Sequence, residues 1–277
     1  MTRPRSASPL VTLLTDFGTA DGYVGAMKGV IASLAPSARV VDVTHDIRAG
    51  DVRGGALALE TAAPYFPPGT IHVAVVDPGV GTARRGIAVE AGGQAFVGPD
   101  NGLLALAARP DRRVFILDRA RYHLQAVSPT FHGRDVFAPI AARLATGVRA
   151  SNLGTKTDSD DLRELALPRP LATRGGLVGE VIHADRFGNL ITNVVAADLA
   201  RLSGAAPLKS IRIHVGRRRL SGGLARTYGD AGRHALLALV GSSGRLEIAR
   251  RDGSAALMLG YRPGRKLAVR CVLADRS

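Results

Sequence analysis

Four short loops of this 277-residue chain set acids, bases and glycines directly beside apolar runs: Thr15-Asp16-Phe17-Gly18-Thr19-Ala20-Asp21, Asp77-Pro78-Gly79-Val80-Gly81-Thr82-Ala83-Arg84-Arg85-Gly86, Val97-Gly98-Pro99-Asp100-Asn101-Gly102 and Thr130-Phe131-His132-Gly133-Arg134-Asp135. Asp77, Arg84 and His132 supply a carboxylate, a guanidinium and an imidazole, a set that could position water, take its proton and hold the resulting hydroxide. Asp16 directly follows an apolar run, where a carboxylate can offer two acceptor oxygens to two neighbouring hydroxyls of a ribose. Plainer uses exist for the same residues. The Asp77 loop could be a tight turn with a surface ion pair, Asp16 or Asp21 a helix cap, and His132 a surface residue. His45, Asp46, His132 and Asp135 are also possible metal donors, but they follow no recognisable ligand spacing, and the expectation is a site with no metal and no other cofactor.

Positioning such loops requires strands that end together. Leu10–Thr15 reads as a first strand, and the apolar spacing of Tyr23, Val24, Met27, Val30, Ile31 and Leu34 predicts a helix after Asp21. A strand over Arg39–Thr44, a helix over Asp51–Tyr65 and a buried strand over Ile71–Val76 continue the alternation, which implies a mainly parallel sheet covered by helices. Strands over Gly86–Ala91, Ala95–Val97 and Val114–Leu117 and helices over Asn101–Ala108 and Asp135–Ala145 complete this α/β part. Ser151–Glu164 is polar and acidic, and Leu167-Pro168-Arg169-Pro170 with Arg174-Gly175-Gly176 reads as a connection. The boundary falls near Arg174, giving domains 1–170 and 175–277. Beyond it, short β-type runs at Leu177–His183, Leu190–Val195, Ile211–Val215, Ala235–Val240, Leu246–Ala249 and Leu267–Leu273 suggest a small barrel or sandwich, with helices only at Asp198–Leu202 and Ala255–Leu259.

Composition narrows the partners. No apolar run is long enough to span a membrane, and Met1 to Pro9 reads as a loose tail without a signal-peptide core. Cys271 is the single cysteine, which excludes a disulfide framework and suits a reducing cytoplasm. The net charge of +14 is uneven: Arg169–Ser277 holds 19 basic against 7 acidic residues, or +12. Yet only Arg217-Arg218-Arg219 forms a basic run, aromatics are sparse there, and no nucleic-acid module signature is present, so a nucleic-acid partner is not expected.

Five ordered blocks carry a resemblance that spans about Leu10 to Val272: Leu13-Leu14-Thr15-Asp16-Phe17-Gly18, Val76-Asp77-Pro78-Gly79-Val80-Gly81 with Arg84-Arg85, Val97-Gly98-Pro99-Asp100-Asn101-Gly102, Phe131-His132-Gly133-Arg134-Asp135 and Asp185-Arg186-Phe187-Gly188-Asn189-Leu190. Together they resemble the adenosine-forming S-adenosyl-L-methionine hydrolases, or SAM hydroxide adenosyltransferases, which are related to fluorinase and chlorinase. The resemblance implies a Rossmann-like N-terminal domain, a β-barrel C-terminal domain and a homotrimer with sites between subunits. It places the water-activating triad on Asp77, Arg84 and His132 and the ribose carboxylate on Asp16. Asp21 and Asp185 match positions near the methionine amino group, Phe187 and Asn189 positions that stack on and hydrogen-bond adenine, Ser242 and Ser243 the segment meeting the methionine carboxylate, and Arg250 a stretch whose backbone faces adenine. Arg245 stands where the family often has tyrosine, Arg251-Asp252 departs from its usual polar pair, and Gly133 stands where fluorinase has a halide-binding serine.

The activity so implied is hydrolysis of S-adenosyl-L-methionine to adenosine and L-methionine by water attacking the ribose 5′ carbon. The alternatives are a halogenase-type substitution at that carbon, and a non-catalytic adenosyl-ligand or nucleic-acid binder.

Overall fold

The computed structural model of the chain describes residues 8–109 and 111–273. Of the expected tail, all but Ser8 and Pro9 lies outside them. The described residues form two compact units that divide between Ala166 and Leu167.

In the first unit, the strands are β1 (Leu10–Thr15), β2 (Arg39–Thr44), β3 (Ile71–Val75), β4 (Gly86–Ala91), β5 (Gln94–Pro99), β6 (Arg113–Ile116) and β7 (Thr155–Thr157), and the helices are α1 (Tyr23–Leu34), α2 (Val52–Ala62), α3 (Ala138–Ala145) and the short α4 (Ala150–Leu153). They build one seven-stranded sheet in the order β2-β1-β3-β5-β4-β6-β7. The central strands read as unbroken apolar runs because both faces are covered. Along β1 and β3 the side chains alternate between two cores: Val11, Leu13, Val73 and Val75 join Met27 of α1 and Ile140 of α3, while Leu14 and Ala74 join Ala56 and Leu59 of α2.

The sheet is mixed. β2-β1-β3-β5 is parallel as expected, but β4 pairs antiparallel with both β5 and β6, and β6 with β7. The two-residue link Gly92-Gly93 between β4 and β5 can only make a hairpin, since a parallel return needs a long crossover. β7 arises within the polar, acidic stretch Ser151–Glu164, where the sequence marked no strand. The helix expected at Asn101–Ala108 is instead a series of turns, fixed where Asn101 Nδ2 donates to the Val76 carbonyl at 2.8 Å and its Oδ1 accepts from Leu103 N at 3.1 Å. Asp21 does not cap α1 either: Gly22 holds the cap position with no side-chain hydrogen bond, and Asp21 is exposed. Asp51 does cap α2, accepting from Gly54 N at 2.8 Å.

Fully buried His72 of β3 stacks on Phe96 at 5.0 Å and bonds through Nδ1 to Thr12 Oγ1 at 2.7 Å. Burial pushes its imidazole down from 6.5 to about 4. The folded state therefore refuses a proton that the unfolded chain accepts below pH 6.5, so stability is kept above that value and falls as pH drops towards 4, by about 1.4 kcal/mol per unit and ~3 kcal/mol in all. Urea unfolding between pH 7 and pH 4.5 should show this slope, and His72→Phe should flatten it whatever its stability at pH 7.

In the second unit, β8 (Leu171–Thr173), β9 (Gly176–Ala184), β10 (Leu190–Val195), β11 (Ile211–Val215), β12 (Arg218–Arg219), β13 (Leu236–Val240), β14 (Arg245–Arg250) and β15 (Ala268–Leu273) pair antiparallel in the order β12-β11-β15-β9-β10-β14-β13, with β8 added on β9. This curled sheet wraps a core of Leu190, Val194, Ile211, Ile213, Leu246, Ile248 and Val269, against which α5 (Ala196–Ser203) and α6 (Ala255–Met258) pack. Among the described residues the sheet ends on β12 and β13 and forms a curled antiparallel half-barrel. No helix among the described residues is long and apolar enough to cross a membrane.

Candidate functional site

Strand order dictates where the site forms. β1 lies between β2 and β3, so the chain leaves β1 to one side and later returns on the other, which opens a crevice at the carboxyl ends of β1 and β3. Thr15 and Val75 are register partners, so the loops carrying Asp16 and Asp77 leave the sheet side by side. A cavity of about 340 Å³ lies there, and Asp16, Phe17, Gly50, Asp77, Phe131 and His132 are among the residues lining it.

Asp77, Arg84 and His132 form one hydrogen-bonded chain. Arg84 Nε donates to Asp77 Oδ2 at 2.8 Å, its Nη2 contacts the same oxygen, and Nη2 also lies 2.9 Å from His132 Nδ1. The two charged side chains are only 9% and 5% exposed, so the ion pair is screened little by solvent. Because a guanidinium can only donate, His132 Nδ1 is the acceptor and its proton sits on Nε2. Burial and the Arg84 cation lower the His132 pKa below 6.5 against the opposing pull of Asp77 and Asp135, so the ring is neutral at pH 7.

The loops are built to hold this arrangement. In the Asp77 loop, Gly81 has φ +77°, and a Cβ there would stand 2.7 Å from the Pro129 carbonyl, so only glycine fits. The Arg84 guanidinium lies 5.2 Å from the Phe137 ring centre. A π-helical turn at Gly133–Phe137 leads from His132 into α3. Buried Asp135 accepts from Arg134 Nε and Nη2 and from Ser128 N, which folds the His132 loop back on itself. Burial opposes ionisation of Asp135, but these donors prevail and keep its pKa below the usual value. The arginine pair divides: Arg85 binds Asp100, at 2.8 Å through Nε, so the Asp100-Asn101 loop buttresses the Asp77 loop and does not line the cavity. Neither pairing was visible in the sequence, where Asp100 had no assigned partner and Asp135 stood among the possible metal donors.

Asp16 Oδ2 accepts from Gly50 N at 2.8 Å, which leaves its other oxygen for a ligand. Asp21 is outside the cavity lining. In the second unit, Asp185 Oδ1 accepts from Phe187 N at 2.9 Å and from Asn189 N at 2.8 Å, and its Oδ2 accepts from Asn189 Nδ2 at 2.9 Å. This turn needs Gly188, with φ +81°, because a Cβ would strike Ser254 Oγ. It leaves Phe187 78% exposed, and the Asn189 backbone carbonyl closes the turn by accepting from Asp185 N at 3.0 Å. Ser242 and Ser243 are exposed in the tight turn between β13 and β14, and Arg250 Nε is bound to the His234 carbonyl at 3.1 Å. Beside them, Tyr228 donates to buried Glu247 at 2.6 Å, a pair that sequence reading missed because it joins positions 19 apart in different elements.

Residues 11–154 match the SAM hydroxide adenosyltransferase N-terminal domain and residues 179–268 its C-terminal domain. The chain belongs to the SAM hydroxide adenosyltransferase family. It is 42% identical over 268 residues to a protein of Salinispora tropica named (R)-S-adenosyl-L-methionine hydrolase, covering 95% of this chain and 98% of that one. A protein of Nocardia brasiliensis named fluorinase matches at 26% identity, over 98% of this chain and 99% of its own length. The crystal structure of an uncharacterized conserved protein from Thermotoga maritima superimposes with a TM-score of 0.83 at 33% identity, covering 94% of this chain and 99% of that one.

In this SAM hydroxide adenosyltransferase, Gly133 sits in a tightly packed wall of the cavity. A Cβ there would lie 3.2 Å from Met27 Sδ, 3.3 Å from the Phe17 ring and 3.4 Å from the Phe131 ring. The wall is closed by these rings, with Phe131 edge to face on both Phe17 and Tyr23, and it offers no side-chain hydroxyl at that position. The metal candidates do not converge: among the described residues no group of three or more His, Cys, Asp or Glu could hold an ion, and His45 is engaged elsewhere.

Proposed function

We propose that the protein hydrolyses S-adenosyl-L-methionine to adenosine and L-methionine, and that the chemistry occurs at Asp77, Arg84 and His132. The observation that carries this reading is the Arg84-centred relay at the mouth of the β1/β3 crevice, beside an acid suited to a ribose; the name borne by the Salinispora relative agrees with it. Arg84 holds Asp77 and His132 from behind. With Nδ1 engaged by Arg84, His132 donates Nε2–H to the water and Asp77 accepts a water proton. The water oxygen bonds to the ribose 5′ carbon as the carbon–sulfur bond breaks, and its electron pair leaves on sulfur as the neutral thioether of methionine. Sulfonium is a good leaving group, so holding the nucleophile in line and dry is the main task, and positioning contributes up to ~7–11 kcal/mol.

Asp16 takes the ribose. Asp21 and Asp185 serve the methionine amino group, Phe187 and Asn189 adenine, Ser242 and Ser243 the methionine carboxylate, and Arg250 the adenine edge through its backbone. The proposal includes Rossmann-like and barrel descriptions of the two units, a homotrimer in which each site joins the first unit of one chain to the second unit of a neighbour, and a cytoplasmic setting that suits the free, buried Cys271. Glycine at 133 favours water over halide as nucleophile. Incubation of the purified protein with substrate in buffers with and without halide, followed by chromatography, tests the reading. Adenosine and methionine in both buffers are expected. A 5′-halo nucleoside would make it a halogenase, and unchanged bound substrate would make it a binder.

A further inference from the structure

His45, one of the donors that suggested a metal, lies in a directed chain of side chains that ends at the ribose-facing loop. It is buried, and its Nδ1 lies 2.8 Å from Thr15 Oγ1. Its Nε2 lies 3.1 Å from Asp42 Oδ1, while Lys28 Nζ donates to the other oxygen of Asp42 at 2.6 Å. The carboxylate favours the proton on Nε2, which makes Nδ1 the acceptor of the Thr15 hydroxyl. Thr15 Oγ1 in turn accepts from Phe17 N at 3.2 Å, and the His45 carbonyl accepts from Gly18 N at 2.9 Å. Asp16 is thus held between two residues that His45 fixes, and its own Oδ2 is pinned by Gly50 N, five residues beyond His45 on the same loop.

We infer that His45 is a positioning residue that sets the enzyme's preference for a ribose carrying both hydroxyls, by orienting the Thr15-Asp16-Phe17 turn through its hydrogen bond to Thr15. The inference rests on the proposed hydrolase reading. The Thr15 hydroxyl is held between His45 Nδ1 and Phe17 N, so loss of the imidazole frees it to rotate and relaxes the turn that aims Asp16. The reacting water is not part of this chain, so turnover at saturation should change little.

The test compares S-adenosyl-L-methionine with its 2′-deoxyadenosyl analogue. For wild type, His45→Ala, His45→Asn and Asp42→Asn, kcat and KM are measured on both. His45→Ala should raise KM for the natural substrate and cut the ribose-over-deoxyribose preference by about tenfold, the effect of about one hydrogen bond, with kcat largely kept. His45→Asn, whose amide reaches the Nδ1 position, should restore most of the preference. Asp42→Asn should weaken it partially, and it decides the matter alone if the His45 variants do not fold. An unchanged preference in folded variants overturns the inference while leaving hydrolysis intact. A wild type that hydrolyses neither substrate overturns the reading beneath it.

Discussion

Arg84→Ala should lower kcat on S-adenosyl-L-methionine by about 10²–10³, equal to ~2.7–4 kcal/mol of transition-state stabilisation, while KM changes far less. The asymmetry follows from the geometry. Arg84 touches Asp77 and His132 and is absent from the residues lining the cavity, so its removal disorganises the groups around the water without touching the nucleoside. Arg84→Lys should recover little, because a single ammonium cannot reproduce the fork that reaches both Asp77 and His132. Asp77→Asn and His132→Ala should show the same loss in kcat, whereas Asp16→Ala should act mainly on KM. The pH profile gives a separate reading. His132 acts here with Nδ1 unprotonated, and its pKa is lowered, so kcat/KM should hold as pH falls past 6.5 and drop only below it. Stopped or continuous assays of adenosine release, across these variants and across pH, check these statements. Triad variants with wild-type turnover at saturation would contradict the assignment.

Mixing two inactive proteins should restore activity. An Asp77→Asn chain has a faulty first unit and an intact second, and an Asn189→Ala chain the reverse. In a ring of three with shared sites, random exchange from equal amounts of the two makes about one site in four wholly unmutated, so up to about a quarter of wild-type activity should return. The motivation is the separation along the chain of Asp16, Asp77, Arg84 and His132 from Asp185, Phe187, Asn189 and Ser242, together with the family resemblance. Native mass spectrometry of the mixture shows whether exchange occurred. Mixed trimers without activity would place the whole site in one chain.

What the sequence made legible was local. β10 and β11 fall where their apolar and β-branched runs lie, and α2 falls within the helix expected over Asp51–Tyr65. The Asp77, Arg84 and His132 set was legible as a constellation because each lies in a loop beside an apolar run, and the three side chains do meet. What stayed hidden depends on partners far away in the chain. The apolar residues of Asn101–Ala108 satisfy a helical spacing, yet Asn101 bonds to the end of β3's run and the segment turns instead. A parallel sheet fitted the early alternation, and the pairings of β4 with β5 and β6 and of β6 with β7 reveal the antiparallel half. His45 suggested a metal because its imidazole was visible and Thr15, 30 residues earlier, was not a suspect. Asp135 suggested a metal for the same reason until Arg134 was seen beside it, and Asp100 had no assignment until Arg85 was.

The central claim is that water, held by Asp77 and His132 and organised by Arg84, attacks the ribose 5′ carbon. Running the reaction in oxygen-18 water and weighing both products tests it most directly. The account predicts one solvent oxygen in the 5′ hydroxyl of adenosine and none in methionine. Adenosine whose 5′ oxygen does not come from solvent would contradict it.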